Sequence, residues 1–234
     1  PSPLLGAAHQ LGHPAANAPF AAKLARKLQQ LPPPRLRMLR RLVRAQLYYP
    51  LATLLGFKLL MQCTSLHDLL HLYTPLHEAA FTAALAHWIV SLLEDLATPD
   101  GFVVPGLKLN LFGLYLAHHI LAAAAFAYVI HTRQLSALAA MGLLFEAPVV
   151  FVNLRDLLRD FAAELGWFED LGGTRKLQEL WIWATIAIIP GRFGGIALWI
   201  FGLANWSHGL AHLPRQAQCA YLGFGGFFCG LSLM

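Results

Sequence analysis

The stretch YLAHHILAAAAF, residues 115–126, places two adjacent histidines inside an apolar, alanine-rich run. The chain around it has 234 residues, of which 57% are hydrophobic and only 12% are charged. Because soluble domains carry about a quarter charged residues, this composition indicates an integral membrane protein. A helix that only crosses a bilayer does not need His118 and His119, so the pair indicates a polar site inside the membrane.

Apolar segments extend in both directions from this stretch and are separated by Pro, Gly or charged residues. They predict an all-α, polytopic transmembrane bundle of about six helices, over residues 46–63, 78–97, 109–130, 134–153, 177–204 and 218–234. The fifth segment contains Pro190 and Gly191 and would be about 42 Å long if straight, so we expect it to be kinked. We therefore expect one transmembrane domain over residues 46–234, preceded by a basic arm over residues 1–45 on the membrane surface.

The arm contains eight basic residues and no acidic one. An alanine- and arginine-rich stretch of this kind is typical of an organelle transit region, and also of an arm that lies on an anionic membrane surface. Six spans would leave 13 Lys and Arg residues on the side of the arm, termed side A, and two on the opposite side, side B. The positive-inside rule then assigns side A to the cytosol, stroma or matrix. We expect the mitochondrial inner membrane or the thylakoid, with the endoplasmic reticulum as the alternative.

Ionisable side chains recur at a similar depth in three of the expected spans. His87, the histidine pair and Glu146 differ in depth by about one helical turn, and ionisable groups inside a membrane usually face one another or a cavity. Adjacent residues on a helix point about 100° apart, so only one histidine of the pair can face the centre of the bundle. We expect His119 to pair with Glu146 and the other histidine to lie beside Tyr115. The alternative is that these groups only satisfy one another and hold the bundle together.

Further polar residues belong to the same layer. His87, Ser91 and Glu94 follow an i, i+4, i+7 pattern and are expected to share one helix face. A bound lipid is the expected occupant of the layer. The residues expected to line its pocket are His87, Tyr115, His119, Glu146, Asn153 and Arg192.

Four short motifs occur along the chain: SLLEDL at 91–96, HH at 118–119, FEAPVVFVNLR at 145–155 and IIPGRF at 188–193. The ordered set resembles the TLC-domain family of polytopic membrane proteins, which includes the ceramide synthases, over about residues 77–204. In members without ceramide synthase activity, Glu is followed by Asn seven residues on and by Arg two further. Glu146, Asn153 and Arg155 match that spacing. The resemblance implies a TLC-like core and membership of the non-ceramide-synthase branch.

The same motifs depart from those of the ceramide synthases, which carry two closely spaced aspartates after the histidine pair. Glu146 can stand for one of them, but Val149 occupies the place of a second acid. N-acyl transfer needs a base that deprotonates the amine and a means of activating the thioester. By resemblance, His118, His119 and Glu146 are the catalytic residues if the chain is an enzyme, but the incomplete signature favours a protein without catalytic activity.

Two further histidine pairs with i, i+4 spacing fall in side B connections, namely His67/His71 and His208/His212. Such a pair on a helix can bind a metal, but interfacial histidines without a ligand are commoner, so no metal site is predicted. No cofactor is predicted either. A tetrapyrrole bound by His87 or His118 is an alternative that rests on single histidines in apolar helices.

Two functions from different classes follow. The first is a non-catalytic accessory or scaffold subunit of a large organellar membrane complex, with a retained lipid-associated polar pocket. The second is a lipid-handling protein or an acyl-CoA-dependent acyltransferase related to ceramide synthases. The basic arm and the incomplete signature favour the first function, and the His–His–Glu layer favours the second. The expected partners are membrane lipids and other subunits of a complex; nucleic acid is not expected, because the arm lacks interleaved aromatic residues.

Overall fold

The computed structural model describes residues 27–97, 103–104, 109–110, 112–161 and 173–232, which are almost entirely helical. The helices are α1 (Pro33–Leu60), α2 (Leu66–His71), α3 (Pro75–Ala97), α4 (Phe112–Thr132), α5 (Ser136–Phe145), α6 (Ala147–Asp160), α7 (Gly173–Ile188), α8 (Gly194–Ala204) and α9 (Arg215–Ser232). A π-helical segment, Ile189–Phe193, joins α7 to α8, and two 3₁₀ turns, Trp206–His208 and Leu210–His212, precede α9. Two short strands, β1 (Val103–Val104) and β2 (Leu109–Asn110), pair antiparallel between α3 and α4.

Four stretches of the described residues are long and apolar enough to cross a membrane. They are α3, α4, α5 together with α6, and the continuous stretch from α7 to α8. The predicted all-α membrane bundle is therefore confirmed, with four candidate spans rather than the expected six or so. The first and last expected segments lie in α1 and α9. These helices are less apolar, because α1 has an arginine-rich first half and α9 begins with an arginine and two glutamines.

The expected fourth span is interrupted in the middle. Glu146 forms a turn between α5 and α6, with φ −84° and ψ −2°. Pro148 lies in the first turn of α6 and has no N–H to donate to the carbonyl of Leu144, so the helix breaks there. That carbonyl lies against Gly191, where a Cβ atom would fall 2.5 Å from the oxygen. The broken turn therefore packs against the π-helical segment of the following span. This segment stands where the kink was expected.

α1 runs antiparallel to α5 and α6 over its whole second half. The Gln46 amide donates a 2.8 Å hydrogen bond to the carbonyl of Val150. Nearly three turns further on, Gly56 lies so close to α5 that a Cβ atom there would be 2.8 Å from the carbonyl oxygen of Ala140. The helix passes through residue 45, where the arm was expected to end, without a break.

The described part of the arm packs against the end of α6. The Arg35 guanidinium donates a 2.5 Å hydrogen bond to the carbonyl of Asp160 and lies 4.8 Å from the ring centroid of Phe161. Four leucines of the arm and of α1 bury the same end of α6, together with Leu157 and Phe161; they are Leu28, Leu31, Leu39 and Leu42. This small apolar cluster lies at side A, apart from the main core.

The connection between α4 and α5 at side B has a constrained backbone. Arg133 and Leu135 adopt φ values of 57° and 62°, which bulky residues seldom do. The Leu135 N–H donates to the carbonyl of Leu70 at 2.8 Å, and the Leu135 residue is 1% exposed. The Ser136 hydroxyl donates to a second carbonyl of the same region at 2.5 Å. Burial and these two hydrogen bonds hold Leu135 in its left-handed conformation.

α2 is a short side B helix whose N-terminus is closed by a capping box. The Ser65 hydroxyl accepts from the Asp68 N–H, and the Asp68 carboxylate accepts from the Ser65 N–H. The Thr64 N–H and hydroxyl donate to the same carboxylate at 2.9 and 2.8 Å. The hydrogen bonds from Thr64, and then those from Ser65, hold the pKa of Asp68 below its usual range because they stabilise the charged form.

Candidate functional site

His118 and Glu146 meet inside the bundle. His118 lies on α4, Glu146 lies at the turn between α5 and α6, and 3.9 Å separates the Nε2 and Oε1 atoms. Both side chains are largely buried. The expected partner of Glu146 was His119, and this prediction is wrong: the 100° between adjacent helical residues turns His118 toward α5 and His119 toward α3.

His119 instead pairs with Asp95, a residue of α3. Its Nδ1 atom is in direct contact with Asp95 Oδ2, and the Arg41 guanidinium lies 3.0 Å from the other carboxylate oxygen. The Asp95 side chain is fully buried. The interpretation of the sequence missed Asp95 as a site residue, although it lies in the SLLEDL motif four residues after Ser91 and so on the same side of the helix.

The expected shared face of α3 packs against α1. The Arg44 guanidinium donates to both carboxylate oxygens of Glu94, at 2.5 and 2.7 Å, and to the Ser91 hydroxyl at 3.2 Å. A two-pronged contact of this kind fixes the relative position of the two helices as well as neutralising the charges. Ser91 and Glu94 therefore share a face as predicted, and that face holds α1 and α3 together.

His87 completes this face one turn deeper in the membrane. Its ring is stacked on Tyr48 with 3.7 Å between centroids, and its Nε2 atom is 3.4 Å from the Tyr49 hydroxyl. Trp88 packs edge-on against it at 5.2–5.3 Å, as it does against His118 on the other side. His87 is thus enclosed by aromatic rings. No cofactor was predicted, and a tetrapyrrole on His87 or His118 stays an untested alternative.

A partly enclosed cavity begins at His118 and Glu146 and extends toward side B. Its outline encloses about 650 Å³, a figure that includes space open to the outside. Its walls are otherwise apolar or aromatic and come from α3, α4, α5, α8 and α9. The side chains lining it include Trp88, Ala122, Ala125, Phe126, Tyr128, Val129, Leu135, Leu138, Phe145, Phe224, Phe228 and Cys229. The wall from α9 was not foreseen, because glycines and phenylalanines in a last segment carry no polar signal.

The other residues expected to line a lipid pocket are not part of the described lining of this cavity. Tyr115 is 42% exposed, and its ring lies 6.4 Å from that of His119. Asn153 is half-buried on α6. Arg192 lies in the π-helical segment. Of the expected set, the described lining of the cavity includes Glu146 alone, together with His118 from the expected catalytic residues.

The two side B histidine pairs lie at the same end of the bundle. The rings of His67 and His71 are 4.7 Å apart on α2. Gly209, which lies between His208 and His212, approaches α2 so closely that a Cβ atom would be 3.0 Å from Leu70. No group of three or more His, Cys, Asp or Glu side chains that could hold a metal ion occurs in the part of the chain that the structure describes.

Comparison of the chain with family models, curated proteins and solved structures finds no match in any of the three. The site therefore has to be interpreted from its own geometry. That geometry has two parts: a charged network at side A, formed by Arg41, Arg44, Glu94, Asp95 and His119, and an apolar cavity whose polar end is His118 with Glu146.

Proposed function

We propose that this integral membrane protein holds an amphiphilic lipid in the cavity that begins at His118 and Glu146. The observation that carries the proposal is the shape of the cavity: a single polar end, and otherwise aliphatic and aromatic walls. A lipid chain needs the apolar walls, and a lipid head group needs the polar end. A cavity that only reflected loose packing would not have an ionisable pair at one end, since such groups are costly in lipid.

The polar end favours a head group that both donates and accepts hydrogen bonds. The Glu146 carboxylate is an acceptor. Trp88 Nε1, which can only donate, and His118 Nδ1 are buried without a hydrogen-bond partner among the described residues. Because a charged head group would bring a further charge into this largely apolar cavity, an uncharged head group costs less free energy to bury. A hydroxyl group, as in a monoacylglycerol, meets these requirements because it both donates and accepts.

Saturable binding of a fluorescent monoacylglycerol to the protein in nanodiscs tests the proposal. Ala125→Phe fills the cavity, because Ala125 lines it, and should weaken binding by tenfold or more. The matched control is Ala124→Phe on the exposed side of the same helix, which should bind like the wild type. Absence of saturable binding to the wild type, or equal binding by the two variants, would overturn the proposal.

An acyltransferase is the catalytic alternative, and it depends on the resemblance to the TLC-domain family. What supports that resemblance is that three of its motifs, through Asp95, the histidine pair and Glu146, meet in one region. His118 with Glu146 would then be the base. Glu146→Gln keeps the shape of the side chain but removes the carboxylate of this pair. Loss of acyl transfer from acyl-CoA in this variant, with lipid binding retained, would establish the alternative.

An accessory subunit of a membrane complex is the second candidate. The observation that favours it is that the span Gly173–Ala204 is the least buried of the four candidate spans. It exposes a large aromatic and aliphatic surface that includes Trp181 and Trp183, and such surfaces serve as contacts in assemblies as well as with lipid. Crosslinks from Trp183-position photoprobes to one defined neighbour in native membranes would support this role, and crosslinks to lipid alone would count against it.

α1 is proposed as a further membrane crossing. What supports this is a continuous exposed apolar stripe along its second half, formed by Leu47, Leu51, Leu54, Phe57 and Met61. A stripe of this length in water would be a large exposed apolar patch. With the basic residues at side A, the arrangement favours a membrane with an anionic face there. The mitochondrial inner membrane or the thylakoid remains the proposed location, with the endoplasmic reticulum as the alternative.

A further inference from the structure

A second, smaller cavity lies beyond the first one, toward side B. It lies between α2, α5, α8 and α9, and its outline encloses about 320 Å³, again including space open to the outside. The two cavities share two lining residues, Leu135 and Leu138, and no other described residue lines both. These two leucines are therefore the partition between the cavities. We propose that Leu138 sets the length of the lipid chain that the protein accepts, an inference that rests on the proposed lipid-binding function.

The direction of the bound chain follows from the order of the lining residues along α4. The polar end is at His118, and the wall of the first cavity continues to Val129, about 16 Å further along the helix axis at 1.5 Å per residue. The partition follows directly, in the first turn of α5. A chain whose head group lies at His118 therefore points toward side B and meets the two leucines with its terminal methyl group.

Leu138 is the adjustable member of the partition. Leu135 is fixed by its left-handed backbone, its near-complete burial and its hydrogen bond to α2. Leu138 lies one turn later within α5, is partly buried, and has no such constraint. On the α9 side of the second cavity, the Tyr221 hydroxyl donates to the carbonyl of Trp199 at 2.9 Å and joins α9 to α8. Shortening Leu138 leaves this contact in place and joins the two cavities.

Substitutions at Leu138 should shift the preferred length of the bound lipid chain. Each methylene group that moves from water into an apolar cavity strengthens binding by roughly fourfold. Leu138→Ala should raise the affinity for arachidoyl relative to palmitoyl monoacylglycerol by tenfold or more. Leu138→Phe should act in the opposite direction, so that myristoyl and lauroyl chains bind best. The opposite shifts in the two variants would not arise from a general loss of stability.

The measurement is a displacement titration in nanodiscs with monoacylglycerols from lauroyl to arachidoyl. The matched control is Leu143→Ala, which creates a cavity in the same helix. Leu143 is 2% exposed, faces Gly56 of α1 and lines neither cavity among the described residues. A wild type that binds one chain length best, with a profile that shifts in Leu138→Ala and not in Leu143→Ala, is the expected result.

The outcomes separate the two proposals. If the wild type binds none of these lipids saturably, the proposed lipid-binding function fails. If the wild type binds them but Leu138→Ala and Leu143→Ala share its chain-length profile, lipid binding stands and the role of Leu138 is refuted.

Discussion

Asp95 offers the sharpest test of the charged network, because its carboxylate connects α1 to the histidine pair. Its side chain is fully buried, lies 3.0 Å from the Arg41 guanidinium and contacts His119. In Asp95→Asn the amide oxygen still accepts from Arg41, and His119 can adopt the tautomer that accepts from the amide nitrogen. Hydrogen bonds to charged groups contribute about 1.5–3 kcal/mol and neutral ones about 0.5–1.5 kcal/mol. We therefore expect this variant to lower the free energy of unfolding by about 1–2 kcal/mol.

Asp95→Leu removes both contacts and should cost more. It leaves the buried imidazole of His119 without its partner, and removing one member of a buried pair costs about 3–5 kcal/mol. Arg41 is 38% exposed and keeps access to polar surroundings. We therefore expect a loss of unfolding free energy at the lower end of this range, about 3 kcal/mol. The two variants together separate the loss of charge from the loss of the contacts.

The assay is the free energy of unfolding in mixed micelles, followed by circular dichroism as the denaturing detergent is increased. Glu94→Gln is the matched control. Its pair with Arg44 is 38% and 29% exposed, and partly exposed ion pairs contribute about 0.2–1 kcal/mol. A double-mutant cycle with Arg41→Gln should show that Asp95 and Arg41 are coupled. The proposed role of Asp95 would be refuted if Asp95→Asn and Glu94→Gln lowered the free energy of unfolding equally. It would also be refuted if the double-mutant cycle showed zero coupling between Asp95 and Arg41.

Three further predictions concern other parts of the fold. Gly191→Ala should destabilise the protein by about 1–3 kcal/mol, because the new Cβ atom falls 2.5 Å from a carbonyl oxygen of α5. The control is Gly223→Ala, which meets open space and should be neutral. Thermal unfolding in detergent compares the two variants. The pKa of Asp68 is lowered in the folded state, so its contribution to α2 is present above the ordinary value of 3.8 and is lost as pH falls through the lower folded-state pKa. Hydrogen-exchange protection factors of α2 should follow that dependence, and Asp68→Asn should remove it. Single cysteines at Ser65 and Arg175 should react with impermeant reagents from opposite sides of the membrane, and labelling from one side would refute the topology.

The strongly apolar helices could be predicted from the sequence, and the orientation of the side chains around them could not. α3 and α4 stand out because an apolar run of this length has few alternatives. Of α1 only the apolar half was predicted, within residues 46–63, because an arginine-rich half precedes it. Its packing against α5 involves Gly56 and is a tertiary contact that the sequence pattern does not show. The break at Glu146 had a local signal in Pro148, two residues later.

The sequence also predicted part of the candidate site, namely its ionisable residues, but not how they pair. The histidine pair and Glu146 are conspicuous as ionisable residues in apolar runs. Which histidine meets Glu146 depends on how α4 is rotated against α3 and α5, and hydropathy carries no information on rotation. Asp95 lies near the end of its span, where an acidic residue also suits a membrane surface, so its burial followed only from the packing of α1 over it.

A cryo-electron microscopy map of the protein in nanodiscs supplied with a monoacylglycerol tests the central claim most directly. The account predicts elongated density between α4, α5 and α9, with its polar end within hydrogen-bond distance of His118 or Glu146 and its tail reaching Leu138. Density for the added lipid on the outer surface alone, with the side chains of Phe145 and Phe228 closing the cavity, would contradict it.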